Sequence, residues 1–430
     1  MLLAAALVAA PAAVLRGLCA GRSCERAARA AAETPFCSLP DATRRLVAAG
    51  FRTGRSADVV GVTATELVAG SVPRAAGDPG APWPVASDAA TRVPVVFWGE
   101  GVARGRLPAG FGLDDVAPTV AEIIGLERPH PEVRSGRAAP GVATGSPPRL
   151  VLEVVWEGTG AAQLRNPSAL PTLASLVRRG AATSSAEVGS LPLDPAAVLT
   201  TIGTGGLPHQ HGVTGSLVRN DRGDVVRPFG ADAPPYVIAT LADDLDHSGR
   251  GGPRIGVVAR RGYARGLVGG TWYLDGDRDD LRFGRADVVT RARSLLRRGY
   301  GDDRAVDVLA IVDEGPAREL DARLAELVDL AQRAARGSLA VAVTATGSAA
   351  ERRSSLAARY VVERIEAQLA PGVIDAAVPG GLFTDEDELA TRSLSNDAVV
   401  GAARELTAPS GGRLFRDAFP ALAVSFARYC

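Results

Sequence analysis

The stretch RLVLEVVWEG, residues 149–158, decides the fold that this sequence predicts. Its apolar run ends at Gly158, and PTLASLVRRGA, residues 171–181, follows with the apolar spacing of a helix and a stop at Gly180. A continuous apolar strand indicates burial on both faces, as in a parallel sheet covered by helices. The two stretches therefore predict a strand followed by a helix.

The same alternation continues along the chain. Helices are predicted in residues 236–249, 286–299 and 319–337, and strands in residues 254–260, 306–313 and 339–347. Strands that alternate with amphipathic helices predict an α/β fold with a mainly parallel central sheet sandwiched by helices.

An earlier block has the same character. It contains the predicted strands RSADVVGVT (55–63) and VPVVFWG (93–99) and the predicted helix DDVAPTVAEIIG (114–125). Residues 129–148 are rich in proline and glycine, which predicts a linker between this block and the next.

The charge balance bears on possible partners. The chain has 430 residues, with 48 basic and 48 acidic side chains, so no long-range field attracts nucleic acid or an anionic membrane. Every basic residue is arginine, which excludes lysine-based chemistry.

The amino-terminal residues indicate export. The apolar run of residues 2–15 is short for a membrane span and is interrupted by Pro11, so residues 1–20 are expected to be a signal peptide or a weak membrane anchor. An alanine-rich helix inside the fold is the alternative. We expect a secreted or extracellular protein, membrane-associated through this segment.

The four cysteines lie near the two ends of the chain: Cys19, Cys24, Cys37 and Cys430. In an exported protein this even count indicates disulfides, and the sequence leaves three pairings open. A zinc cluster is the weaker interpretation, because Cys19 and Cys24 lack the usual spacing and no histidine is near.

LTTIGTGGLPHQHGVTG, residues 199–215, holds His209 and His211, two of the four histidines in the chain. Three roles are open for it: a metal site, a phosphate cradle built from backbone amides, or a structural scaffold. The expected scaffold role is tight backbone turns at Gly203, Gly205, Gly206 and Gly212.

The second block resembles the alkaline phosphatase superfamily, in its type I phosphodiesterase and nucleotide pyrophosphatase branch. Four stretches carry the resemblance, in the family's order: VVWEG (154–158), PTLASLVRRGA (171–181), TTIGTGGLPHQHGVTG (200–215) and VAVTATGSA (341–349). The last stands where the family has a strand that ends in Asp-His-Gly.

The first block resembles the end of the same family, which implies a circular permutation. VPVVFWGEGVARG (93–105) is similar to the family's closing strand, while residues 411–430 resemble an internal segment that would continue into residues 35–60. Residues 35–430 are then one domain, with 35–128 equivalent to the family's carboxy-terminal part and 149–430 to the rest. The permutation implies that Cys430 lies close to Cys37 or Cys24. An unrelated amino-terminal domain is the alternative.

The resemblance implies two zinc ions about 4 Å apart, held by aspartate and histidine around a threonine or serine nucleophile. Glu157 stands at the first ligand position, and Asp313 matches a later aspartate whose histidine partner is replaced by Ala317. Thr346 and Gly347 replace an Asp-His pair. The last ligand, a histidine before residue 93, has no counterpart, since that stretch offers Trp83 and Asp88.

The nucleophile is missing too. Pro195 occupies its position, between Asp194 and Ala196, and a shifted alignment would need Ser190 or Thr200 instead. Asp194 and Pro195 have a structural explanation as the N-cap and first residue of a helix.

The degraded ligand set predicts a pseudoenzyme without bound zinc that binds a ligand in the vestigial cleft. Glu157, Asp194, Pro195, Asp313 and Thr346 should line that cleft, with Trp83 closing over it. Two alternatives stay open: an active phosphodiesterase or phosphatase, and a cell-envelope interaction protein in which the arginines of VARRGYARG (258–266) bind an anion.

Overall fold

A computed structural model describes residues 35–63, 68–69, 72–73, 91–161, 167–248, 252–270, 279–347, 356–378, 380–407, 411–427 and 430. The predicted signal peptide or anchor, Cys24, Trp83 and Asp88 lie outside these ranges. Among the helices in these ranges, none combines the length and the apolar character needed to cross a membrane.

The central element is an eight-stranded sheet in the order β11-β10-β12-β6-β13-β4-β7-β5. All of its strands run in one direction except β4, which is antiparallel to both neighbours. The strands are β4 (Arg92–Gly99), β5 (Gly105–Arg106), β6 (Leu150–Glu157), β7 (Ala181–Glu187), β10 (Ile255–Ala259), β11 (Asp280–Phe283), β12 (Asp307–Glu314) and β13 (Leu339–Ala345). This confirms the predicted α/β class and mainly parallel sheet.

A five-stranded antiparallel sheet, in the order β17-β1-β16-β15-β3, combines the two ends of the chain. Its strands are β1 (Val59–Thr63), β3 (Val72–Pro73), β15 (Ile374–Val378), β16 (Gly381–Thr384) and β17 (Phe415–Pro420). Two small pairs complete the strands: β2 (Val68–Ala69) with β14 (Leu356–Ala357), and β8 (Val218–Arg219) with β9 (Val225–Val226).

Twelve α-helices are described within these ranges. They are α1 (Asp41–Gly50), α2 (Val116–Ile123), α3 (Pro171–Arg179), α4 (Pro195–Thr204), α5 (Pro208–His211), α6 (Leu241–His247), α7 (Val288–Leu296), α8 (Ala317–Ala334), α9 (Ala358–Gln368), α10 (Glu386–Thr391), α11 (Asn396–Glu405) and α12 (Ala421–Ser425). The helix predicted in residues 236–249 begins only at Leu241, because the Thr240 hydroxyl caps it by accepting from the Asp243 amide at 3.1 Å.

Helix α8 anchors α3 on one face of the central sheet. The buried carboxylate of Asp321, inside α8, accepts hydrogen bonds from the amides of Thr172 and Leu173 at 3.0 and 2.8 Å. These amides belong to the first turn of α3 and have no partner within that helix. A carboxylate of one helix therefore caps its neighbour.

The segment 129–148 is irregular, but it is packed into the protein rather than an exposed tether. Arg134 is buried, and its guanidinium contacts Asp244 at 3.1 Å beside that of Arg128 at 2.7 Å. Ala139 and Val142 are buried in the main apolar cluster. The composition of this segment indicates irregular chain but does not show what that chain contacts.

The two ends of the described chain meet. Cys37 and Cys430 form a disulfide with a Cα separation of 5.2 Å, and the rings of Phe36 and Phe419 pack edge-to-face with centroids 5.1 Å apart. Phe36 and Phe419 are both buried in the apolar cluster that contains β6. A covalent bond thus closes almost the whole described chain into a loop.

We expect the double variant Cys37→Ser/Cys430→Ser to unfold more readily than the wild-type protein. The disulfide spans a sequence separation of 393 residues, so the chain-entropy model gives a loss of roughly 6 kcal/mol in the free energy of unfolding. Urea titrations of both proteins measure the loss, and a reductant should destabilise the wild-type protein far more than the variant. Equal midpoints would show that the bond adds nothing.

Candidate functional site

The candidate site lies where β6, β12 and β13 end, at the carboxyl edge of the central sheet. Glu157 is the last residue of β6, and it lies in register with Glu314, the last residue of β12. In open α/β sheets, ligands bind outside this edge. Because β4 is antiparallel, it contributes its beginning to this edge, where Thr91 is buried.

Glu157 forms a close hydrogen bond with a residue that the sequence did not single out. The hydroxyl of Tyr263, in the 3₁₀ turn Gly262–Leu267, donates to the Glu157 carboxylate at 2.6 Å. Burial raises the pKa of Glu157 to about 7, with Tyr263 opposing the shift and Glu314 adding to it. Burial also raises the pKa of Tyr263, so the phenol remains a donor. Glu157 is therefore close to half protonated at neutral pH.

Asp194 and Pro195 have the structural role that the sequence predicted. The Asp194 side chain accepts from the Ala196 amide at 2.9 Å as the N-cap of α4, and Pro195 is the first residue of that helix. The Ser216 hydroxyl donates to the other Asp194 oxygen at 2.8 Å. Both carboxylate oxygens thus have protein donors.

The two residues that a shifted alignment would offer as the nucleophile, Ser190 and Thr200, are both buried. Ser190 is fully buried, and the Thr200 hydroxyl donates to the Ala196 carbonyl at 2.7 Å within α4. The environment of neither residue resembles that of an activated nucleophile, which needs a neighbouring base.

Asp313 is turned away from Glu157. It is in register with Trp156, and successive strand residues point to opposite faces, so Asp313 shares a face with Trp156 while Glu314 shares one with Glu157. Its carboxylate binds the Arg323 guanidinium of α8 at 2.6 and 3.1 Å. The expectation that Asp313 lines the same cleft as Glu157 was wrong for this reason.

Thr346 and Gly347 stabilise the loop that follows β6. The Thr346 hydroxyl accepts from the Gly158 amide at 2.9 Å, and its own amide donates to the Trp156 carbonyl at 3.1 Å. Gly347, with φ of 95°, donates to the Thr159 carbonyl at 3.1 Å. Thr346 therefore lies beside the Glu157 end of β6, as predicted, but it serves the backbone.

His211 has the environment of a structural histidine. It is fully buried, its Nδ1 accepts from the Val213 amide at 3.1 Å, and its Nε2 lies 3.1 Å from the Thr201 hydroxyl. Because Nδ1 accepts, Nε2 carries the proton and donates to Thr201. Burial lowers the pKa of His211 to about 3, which keeps the ring neutral.

The glycines around His211 serve two purposes. Gly205 and Gly212 have φ of 78° and 85° and end α4 and α5 as predicted turns. Gly203 lies inside α4, where a Cβ would be 2.4 Å from the Gly266 carbonyl oxygen. The turn prediction was wrong for Gly203, because this position serves close packing of α4 on the Tyr263 turn.

Two of the three arginines of VARRGYARG, Arg260 and Arg265, are engaged by the protein's own acceptors. Arg260 forms an ion pair with Glu314, and the Arg265 Nε donates to the Gly269 carbonyl at 2.8 Å. Within the described ranges, no group of three or more histidine, cysteine, aspartate or glutamate residues is placed to hold a metal ion.

Glu153, in the middle of β6, is the second residue that the sequence did not single out. It is 8% exposed, and it lies in register with Ala310 on one side and Ala342 on the other. Burial raises its pKa to about 8. The sequence signal was present as one glutamate inside the apolar run LVLEVVW.

We expect Glu153 to make the protein less stable as pH rises. The unfolded chain releases this proton near pH 4.5 and the folded chain near pH 8, so the stabilisation is complete below pH 4.5 and is lost as pH rises through 8. The slope is at most about 1.4 kcal/mol per pH unit. Urea unfolding from pH 5 to 8 should show a flatter profile for Glu153→Gln, and the exposed-site control Glu122→Gln should keep the wild-type slope. A Glu153→Gln profile parallel to wild type would contradict this assignment.

Comparison of the chain with models of known protein families and with curated protein sequences finds no match.

Proposed function

We propose that this chain is a non-hydrolytic relative of the alkaline phosphatase superfamily that binds a ligand at the carboxyl edge of its central sheet. The observation that carries the proposal is the hydrogen bond from Tyr263 to Glu157. By the resemblance, Glu157 occupies the position of the first zinc ligand. The phenol donates to one carboxylate oxygen, Oε1, at 2.6 Å, and burial favours the protonated form of this acid, which is not a zinc ligand.

The other carboxylates at family positions do not fit a two-zinc site either. Asp194 accepts from the α4 backbone and from Ser216, and Asp313 binds Arg323 on the opposite face of the sheet. Two tetrahedral zinc ions require more ligands than these, and the family positions at Ala317, Thr346 and Gly347 supply no imidazole. These residues therefore do not fit a two-zinc hydrolytic site.

The chemistry of the edge favours a hydroxyl-rich, uncharged ligand such as a glycan. Glu157 and Glu314 end neighbouring strands on one face, where their carboxyl groups accept hydrogen bonds from hydroxyl groups. Arg260 balances Glu314, which leaves less positive charge for an anion.

A circular permutation of the family fold is part of this proposal. Two observations support it: β4 lies beside β13 in the central sheet although it precedes β6 in sequence, and the chain ends meet at the Cys37–Cys430 disulfide. The disulfide also supports export, since such bonds persist in oxidising compartments.

We expect the purified protein to carry less than stoichiometric zinc, to keep its melting temperature in EDTA and to leave bis(4-nitrophenyl) phosphate intact with or without added zinc. A metal bound only by the folded state would have to stabilise it. Elemental analysis, thermal unfolding and absorbance assays measure these properties. Stoichiometric zinc that is lost in Glu157→Gln, together with chelator-sensitive turnover, would show an active phosphodiesterase and overturn the proposal.

The permutation predicts that the chain can be reopened elsewhere. We expect a chain that starts at Ser146, passes from Cys430 through a short Gly/Ser linker to Pro35 and ends at Gly145 to fold with a melting temperature close to that of residues 35–430 in natural order. Residues 144–147 are exposed, and the Cα atoms of Cys37 and Cys430 are only 5.2 Å apart. Thermal unfolding followed by circular dichroism compares the two chains. An unfolded product beside a folded control would contradict the proposal.

A further inference from the structure

The short helix α12 is apolar on its outer face as well as on its inner face. Ala423 and Val424 are buried beneath it, whereas Leu422 is 66% exposed and Phe426, which ends the helix, is 49% exposed. Residues four apart lie on the same side of a helix, so Leu422 and Phe426 form one patch. A surface helix normally turns polar side chains outward, and an outward apolar pair marks a contact surface.

The patch lies at the place where the chain enters the described structure. Helix α12 packs against α1, and in the turn after α1 the hydroxyl of Thr53 lies 3.4 Å from that of Ser425. The disulfide holds Cys430, just beyond α12, beside Cys37. Residues 1–34 therefore join the protein within a few residues of the Leu422/Phe426 patch.

The sequence that precedes Cys37 is suited to a lipid surface. Residues 2–15 are apolar, and residues 16–34 carry four arginines and two glutamates, a net charge of +2. Basic residues beside an apolar segment favour anionic lipids. Helix α1, which packs against α12, carries the exposed Arg45.

We propose that the Leu422/Phe426 patch inserts into an anionic lipid surface to which residues 1–34 bring the protein. A short apolar segment with an internal proline is a weak anchor, and stable membrane attachment usually needs a second contact. Two large apolar side chains at the point where the anchor joins the protein supply that contact. The patch also fixes an orientation, with the chain ends facing the lipid.

The test uses the full chain with a tryptophan reporter in the patch. Phe426→Trp is compared with Phe283→Trp, whose parent side chain is 37% exposed at the β11 edge of the central sheet. The proteins are mixed with phosphatidylcholine vesicles that contain phosphatidylserine and bromine-labelled acyl chains, and wild-type emission is subtracted. We expect bromine to quench most of the emission added at residue 426 and little of that added at residue 283.

A second variant measures the energetic contribution of the patch. In flotation assays, we expect the affinity of Leu422→Ser/Phe426→Ser for the same vesicles to fall by roughly tenfold or more, because two apolar side chains no longer enter the lipid. Vesicle binding with equal quenching at the two reporters, unchanged affinity of the double serine variant, or no vesicle binding by the full chain would each overturn the proposal. None of these outcomes bears on Glu157, so the proposed function is tested separately.

Discussion

The structure depends on β6 being hydrogen-bonded along both of its edges. All eight residues of β6, Leu150–Glu157, pair with β12, and seven of them pair with β13. A strand held in two ladders cannot slip by one residue without reversing the faces of every side chain. The ends of the three strands are therefore fixed relative to one another, and so are the side chains of Glu157, Glu314 and Thr346. The same constraint keeps Glu153 between two alanines in the interior, which makes a glutamate in β6 costly once it is ionised.

The polar groups at this edge are largely satisfied by the chain itself. Glu157 has Tyr263, Asp313 has Arg323 and Asp194 has the first turn of α4. Hydrogen bonds to an ionised carboxylate are stronger than those between neutral groups. A ligand that binds these carboxylates must compete with the donors already present. The carboxylates at this edge are therefore held in fixed orientations by donors of the chain itself.

The sequence predicted those features that depend on local patterns. Five strands of the central sheet, β4, β6, β10, β12 and β13, follow from continuous apolar runs, and the α4 cap follows from Asp194 standing directly before Pro195. Features that depend on distant contacts were not predictable in this way. The strands of the small sheet are short, and β1 pairs with β16 and β17, more than three hundred residues away. Tyr263 reaches Glu157 across 106 residues through an irregular turn. The orientation of Asp313 could have been predicted from the sequence, because neighbouring residues of a strand, such as Asp313 and Glu314, point to opposite faces of the sheet.

The connection between the two sequence blocks shows how a segment of linker composition can become part of the core. Arg128 and Arg134 share the buried carboxylate of Asp244, and both guanidinium groups also donate to the Thr204 carbonyl at the end of α4. Burial and the neighbouring Arg134 lower the pKa of Arg128 to about 10, and the carboxylate of Asp244 opposes this shift. Removing Asp244 would leave two buried guanidinium charges without their shared carboxylate, which is strongly destabilising. The first part of the connection is therefore tied to α4 and α6, while its last residues, 144–147, remain exposed. Within this connection, an opening of the chain that preserves the fold therefore falls in the exposed part.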